Sequence, residues 1–247
     1  MPTLNEEEIR TCLPSLRCVF YGAGTVQKFA RPFLRSGVKV FSAWAANAVP
    51  VAEMTVAQIV LAGKGYFLTN RLYKEEGRRA AVSAFNKCNG NYGETVGIIG
   101  AGMIGRLVIK MLKQYKLKVI VFDPFLPDET AAELGVEKCS LSELFERSDI
   151  ITLHTPLNDE TFHSVNAEIL SKSKKHLVLV NAARGAVTDE KAIYDAVKNG
   201  VIGAYGTDVY SVEPMQYENP IWELRDCENV LFTPHMAWGA YEARVRL

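Results

Sequence analysis

The sequence predicts an α/β chain built on a doubly wound parallel sheet, and three observations carry that expectation. From residue 95 onward short β-rich runs alternate with helical stretches. The first of these runs ends in a glycine-rich turn that leads at once into a helix. Polar residues gather where three later strands end, at 181–185, 208–214 and 233–235, and open α/β sheets bind their ligands at those ends.

The elements follow in order. Residues 17–24 form a short strand running into the turn Gly22-Ala23-Gly24, and 38–41 a second strand after an intervening helix. Val51, Met54, Ala57, Ile59, Val60 and Leu61 recur at helical spacing, so a long helix is expected from residue 51 to about 81. The charged run 74–79 reads as a solvated loop. Turn chemistry at 89–92 places a domain junction near residue 90, dividing 1–90 from 91–247. Beyond it, strands are expected at 95–99, 118–122, 150–153, 177–181, 203–208 and 230–233, with helices at 104–114, 142–146 and 189–199. A last helix starts near Ala240.

Composition narrows the class. The 247 residues are 48% hydrophobic and 23% charged, which excludes disorder and low-complexity repeats. Twenty-eight basic groups balance 28 acidic ones, so no overall basic field draws nucleic acid or an anionic membrane. No uninterrupted apolar run approaches a membrane span and the opening residues are acidic, so the expected compartment is the cytoplasm. Cys12, Cys18, Cys88, Cys139 and Cys227 are scattered without a C-x-x-C pair and read as reduced thiols. His154, His163, His176 and His235 lack metal-ligand spacing, so no metal site is expected.

The strand at 95–99 followed by Gly100-Ala101-Gly102-Met103-Ile104-Gly105 and a helix is a G-x-G-x-x-G fingerprint in its required context. Gly100 permits the tight turn, Gly102 lets backbone amides approach a pyrophosphate, and Gly105 allows close helix–strand packing, with the helix N-terminus facing the anion. Asp123 ends the next strand, where a carboxylate accepts hydrogen bonds from ribose hydroxyls and repels a 2′-phosphate. The pattern therefore points to a Rossmann-type domain that prefers NAD to NADP. S-adenosylmethionine remains an alternative ligand for the same layout.

Five ordered motifs across 96–238 resemble the D-isomer-specific 2-hydroxyacid dehydrogenase family. They are the glycine fingerprint, Leu153-His154-Thr155-Pro156-Leu157, Asn181-Ala182-Ala183-Arg184-Gly185, Asp208 through Pro214, and Thr233-Pro234-His235. The resemblance implies that Arg184 holds the substrate carboxylate and polarises its carbonyl, that His235 is the acid–base, and that Glu213 is its carboxylate partner. The chemistry asks for these types: charge building on a carbonyl oxygen is stabilised by a guanidinium and completed by proton transfer from an imidazolium. A carboxylate beside the imidazole favours its charged form. The resemblance further implies cofactor contacts from Met103, Ile104, Thr155, Pro156, Ala182, Arg184, Asp208 and His235, with Asp208 near the nicotinamide carboxamide. It puts the backbone amides of Gly22, Ala23 and Gly24 at the substrate carboxylate.

His154 lies inside an apolar strand and reads as a satisfied buried histidine. Tyr194 and Lys198 reproduce a Tyr-x-x-x-Lys spacing on an amphipathic helix and read as packing. Family members carry further elements at both ends, so the chain is expected to be truncated, with an incomplete flavodoxin-like substrate domain in 1–90. Trp238 resembles the glycerate dehydrogenase and hydroxypyruvate reductase branch and favours a small 2-hydroxy or 2-keto acid such as hydroxypyruvate or glyoxylate. Formate dehydrogenases resemble a Gln at the position of Glu213. Residues 51–79 correspond to the family's dimerisation arm, which implies a homodimer. An NAD-sensing corepressor without significant turnover is the alternative function.

Overall fold

The structure is a computed structural model and describes residues 4–27, 29–88 and 90–246. Contacts divide the chain into two compact units, Val51–Ala237 and, together, Met1–Pro50 with Trp238–Leu247.

The smaller unit begins with α1 (Glu6–Cys12), started by a capping box in which Asn5 and Glu8 exchange side-chain and backbone hydrogen bonds. β1 (Cys18–Tyr21), α2 (Ala30–Arg35) and β2 (Lys39–Ser42) follow, and β1 pairs in parallel with β2. Ile9, Val19, Phe29, Phe33 and Val38 make its core. The expected βα unit and its successor strand are both present.

α3 (Trp44–Gly63) carries Pro50, and the division between the units falls there. Its Ala52, Val56 and Ile59 belong to the same buried cluster as Val96, Ile98 and Val108. That shared cluster moves the contact boundary from the expected residue 90 to Pro50. At 20 residues α3 has the length and mean composition of a membrane span, although Asn47, Glu53 and Gln58 interrupt its apolar run. Ala52, Val56 and Ile59 nevertheless pack into the sheet core.

The expected long helix breaks into α3, α4 (Tyr66–Glu75) and α5 (Arg78–Phe85). Gly65 at φ +62° and Gly77 at φ +80° make the breaks, both in the left-handed region that glycine occupies without a Cβ penalty. The charged run at 74–79 is therefore helical except at its turn, and the (i, i+4) pair Arg71–Glu75 lies along α4.

The larger unit contains β3 (Thr95–Ile99), α6 (Met103–Leu112), β4 (Lys118–Phe122), α7 (Asp128–Leu134), β5 (Glu137–Lys138), α8 (Leu141–Arg147), β6 (Ile150–Leu153), α9 (Ala167–Leu170), β7 (Leu177–Asn181), α10 (Glu190–Lys198), β8 (Ile202–Thr207) and β9 (Val230–Phe232). Its seven strands lie in the order β5-β4-β3-β6-β7-β8-β9 and every pairing is parallel. β3 and β6 stand at the centre, and Ile150, Ile151 and Leu153 are buried on both faces. Each such side chain contributes about 1.5–3 kcal/mol of transfer free energy. Strand order reverses between β3 and β6, where open sheets form a crevice beyond their carboxyl ends. α11 (Tyr241–Arg246) closes the described chain, and Leu247 lies outside the described residues.

Candidate functional site

Because all seven strands run the same way, the ends of β3, β4, β6, β7, β8 and β9 present their following residues along one edge of the sheet. At the β3 end, Gly100 adopts φ +93°, and a Cβ there would press on the His154–Thr155 backbone at 2.9–3.0 Å. A Cβ on Gly105 would land on the Gly100 carbonyl oxygen. Gly102 faces open space, with nothing within 4 Å of where its Cβ would stand. The turn is therefore closed against strand and helix but bare where a ligand would approach the amides of Met103 and Ile104.

Asp123, at the end of β4, accepts a hydrogen bond from Ala101 N (2.7 Å) through Oδ2 and from Phe125 N (2.9 Å) through Oδ1. Arg106 Nε donates to Ala101 O (2.8 Å) and ties α6 to the same turn. A bare glycine turn, a helix N-terminus and a carboxylate beside it fit the pyrophosphate and ribose of a dinucleotide.

At the β6 end, Thr155 runs beside the Gly100 turn, and Pro156 O accepts from Thr161 Oγ1 at 2.7 Å. His154 corrects the reading of a satisfied histidine. Its Nε2 stands 3.2 Å from Thr152 Oγ1, while the buried Nδ1 has no hydrogen-bond partner among the described residues. Burial pushes its pKa down to about 3.

At the β7 end, the buried Asn181 shapes the turn 181–185. Its Oδ1 accepts from Ala183 N (3.1 Å) and its Nδ2 donates to Arg184 O (3.0 Å), with Ala182 between. Arg184 is half-buried, and its Nη1 donates to Ala183 O at 2.5 Å. Burial lowers the guanidinium pKa from its ordinary value and the charge of Glu213 opposes that shift, so the two groups share one electrostatic neighbourhood.

The β8 and β9 ends hold the remaining groups. His235 Nδ1 lies 2.7 Å from Glu213 Oε2, and Glu213 Oε1 accepts from Tyr210 N at 3.1 Å. His235 adopts φ +54°, a conformation rare for any residue with a Cβ. Asp208, 2% exposed, accounts for how it is held. Oδ1 accepts from Thr233 Oγ1 (2.6 Å) and Met236 N (2.8 Å), and Oδ2 from Ala237 N (2.8 Å). Tyr210 Oη donates to Thr233 O at 2.9 Å, and burial pushes the Tyr210 phenol up to about 12. Asp208, expected at the cofactor, thus has both oxygens engaged with the loop that carries His235.

The structure brings Arg184, Glu213, His235 and Asp208 together within the larger unit, at the same sheet edge as the glycine turn and Asp123. Gly22, Ala23 and Gly24 lie at the end of β1 in the smaller unit, where Ser42 Oγ donates to Ala23 O (2.9 Å) and Gly24 O (2.6 Å). Trp238 also belongs to that unit. Tyr194 is half-buried against the core of the larger unit and its hydroxyl donates to Glu223 at 3.0 Å, in keeping with a packing role. Sequence reasoning missed two groups that shape the site: Asn181, visible only as part of a motif, and Glu190, whose carboxylate takes hydrogen bonds from Ser211 and Asn219. Only the position of Glu190, just after the helix-capping Asp189, marked it in the sequence.

Residues 58–237 match the family described as D-isomer specific 2-hydroxyacid dehydrogenase, NAD binding domain. The chain is 37% identical over 210 residues to the D-3-phosphoglycerate dehydrogenase of Methanocaldococcus jannaschii, a match covering 84% of this chain and 38% of that protein. It is 32% identical over 244 residues to the glyoxylate reductase of Korarchaeum cryptofilum, covering 98% of this chain and 73% of that one. Among solved structures, the D-lactate dehydrogenase of Aquifex aeolicus complexed with NAD and lactic acid is similar at a TM-score of 0.81 and 27% identity, over 97% of this chain and 76% of that one. The chain thus spans well under half of the first relative's length and about three quarters of the other two. With its parallel sheet, glycine turn and ordered motifs, the chain belongs to the D-isomer-specific 2-hydroxyacid dehydrogenase family and carries its NAD-binding domain.

Proposed function

We propose that this chain catalyses hydride transfer between NAD(H) and a small 2-hydroxy or 2-keto acid, with hydroxypyruvate/glycerate or glyoxylate favoured. The observation that carries the reading is the 2.7 Å pair between His235 and Glu213, set beside Arg184 at the sheet edge that holds the dinucleotide turn. Bound NADH supplies the hydride. The backbone at Met103 and Ile104 and the carboxylate of Asp123 would hold its pyrophosphate and ribose, and Thr155, Pro156 and Ala182 would line its path along the strand ends.

The residues divide the remaining work. Arg184 presents a planar fork of donors that matches a carboxylate, and its charge stabilises the oxyanion that grows on the keto oxygen. With Nδ1 facing Glu213, the imidazole carries its Nε2 on the far side of the ring as the proton donor in reduction. In oxidation the same nitrogen takes the hydroxyl proton. Glu213 stabilises the imidazolium that donation requires. The preference for a small acid rests on Trp238, three residues beyond His235 in the sequence, through its resemblance to the glycerate dehydrogenase and hydroxypyruvate reductase branch.

A homodimer accompanies this reading. Its support is an open cavity of about 530 Å³ against the sheet, lined by Phe67, Leu68, Ala84, Ala204 and Leu231, together with exposed Tyr66, Tyr73, Val82 and Phe85 on α4 and α5.

The test follows loss of NADH absorbance with hydroxypyruvate, glyoxylate, pyruvate and phosphohydroxypyruvate. Turnover that falls by two or more orders of magnitude in His235→Ala, with NADH binding retained, is the expected result. NADH binding without turnover on any of the four acids overturns the reading and favours a cofactor-sensing protein.

A further inference from the structure

Glu213 reaches His235 from an irregular loop, which is held partly from within and partly from outside. Inside the loop, Tyr210 N donates to Glu213 Oε1 (3.1 Å), Gln216 Nε2 to Pro214 O (2.7 Å) and Asn219 N to Gln216 O (3.1 Å), but none of these ties the loop to the rest of the unit. Its two ends converge instead on one carboxylate outside it. Glu190, the first residue of α10, accepts from Ser211 N (2.9 Å) through Oε1, and from Ser211 Oγ and Asn219 Nδ2 (2.8 Å) through Oε2. Hydrogen bonds to an ionised acceptor are roughly twice as strong as neutral ones, so three on one group make a firm anchor.

The anchor is itself well founded. Gly185 lies directly under the Tyr210–Ser211 peptide, so close that a Cβ would collide with it. The buried Thr188 Oγ1 donates to Gly185 O at 2.8 Å, and Asp189 N donates to Val165 O at 2.9 Å. The segment 184–190 is thus a rigid ledge with Arg184 at one end and Glu190 at the other, and the Glu213 loop rests on it.

We propose that Glu190 is a positioning residue for catalysis: by gripping Ser211 and Asn219 it fixes the loop that sets Glu213 against His235, and ties that pair to the turn that carries Arg184. The proposal rests on the acid–base reading of Glu213 and His235 given above. The titratable groups facing this arrangement include Arg184, Tyr205, Asp208, Tyr210, Glu213 and His235, all of which any substitution at 190 leaves in place.

The experiment measures kcat and KM for hydroxypyruvate or glyoxylate, whichever the chain reduces, and the NADH dissociation constant by fluorescence, for the parent chain, Glu190→Gln and Glu190→Ala. The expected result is a kcat loss of about tenfold in Glu190→Ala and about threefold in Glu190→Gln, with KM and NADH affinity within twofold of the parent. The Gln variant keeps one acceptor oxygen and the side-chain length, so it retains the fold and the partial grip. A kcat within twofold of the parent in Glu190→Gln and Glu190→Ala overturns the proposal. So does a loss in which NADH affinity falls in step with kcat in the Gln variant, because that reports general unfolding. No turnover by the parent chain overturns the acid–base reading first, and the proposal with it.

Discussion

At the scale of single residues, the site is governed by carboxylates whose partners are fixed at short range. Asp208 takes three donors from the loop around His235, a residue held at φ +54°. Asp208→Asn turns one acceptor into a donor facing N–H and O–H groups. We expect a stability loss of about 1–3 kcal/mol in a thermal melt, with a drop in kcat of about tenfold as His235 loses its fixed backbone. His154 makes a pH-dependent prediction. Its ordinary pKa of 6.5 falls to about 3 in the fold, so between those values the unfolded chain binds the proton and the folded chain does not. Stability from this group is therefore complete above pH 6.5 and is lost on acidification towards pH 3, by up to about 1.4 kcal/mol per pH unit. Comparing urea midpoints of the parent and His154→Gln across that range isolates the effect, and parallel curves would refute it.

At the scale of elements, the glycine turn separates two kinds of glycine. Gly105→Ala drives a Cβ into the Gly100 carbonyl and should cost about 1–3 kcal/mol of stability. Gly102→Ala meets only open space, so its melting temperature should stay close to the parent's while NADH affinity falls about tenfold, read by fluorescence titration. The same contrast explains what was legible in the sequence. β3, β4, β6 and β7 fall at the expected residues because strands of a sheet covered on both faces are dominated by apolar residues. β5 was invisible, since Glu137 and Lys138 are two exposed residues whose pairing with β4 depends on the sheet already being there. α1 carried a readable signal in Asn5 and Glu8, whereas the breaks that divide the expected long helix into α3, α4 and α5 depend on the φ of Gly65 and Gly77. In the site, Arg184, Glu213 and His235 stood in motifs. The work of Glu190 and Asp208 did not, because it depends on residues 21 to 29 positions away folding back on them.

At the scale of the whole molecule, the larger of the two compact units holds the glycine turn together with the His235–Glu213 pair. For the proposed dimer, light scattering should give twice the chain mass. Phe85→Asp on the exposed face of α5 should return a monomer with an unchanged far-ultraviolet spectrum, and a parent that is already monomeric at micromolar concentration would refute the assignment. The all-parallel sheet has one more consequence, for protein engineering. Six of its seven strands deliver the candidate site residues to one rim, and among the described residues none of those candidates lies at the opposite rim of this unit. An epitope tag spliced into the exposed turn at Tyr115–Lys116, ahead of β4, should be carried as silent cargo, whereas the same tag behind that strand, next to Asp123, would sever the dinucleotide's grip.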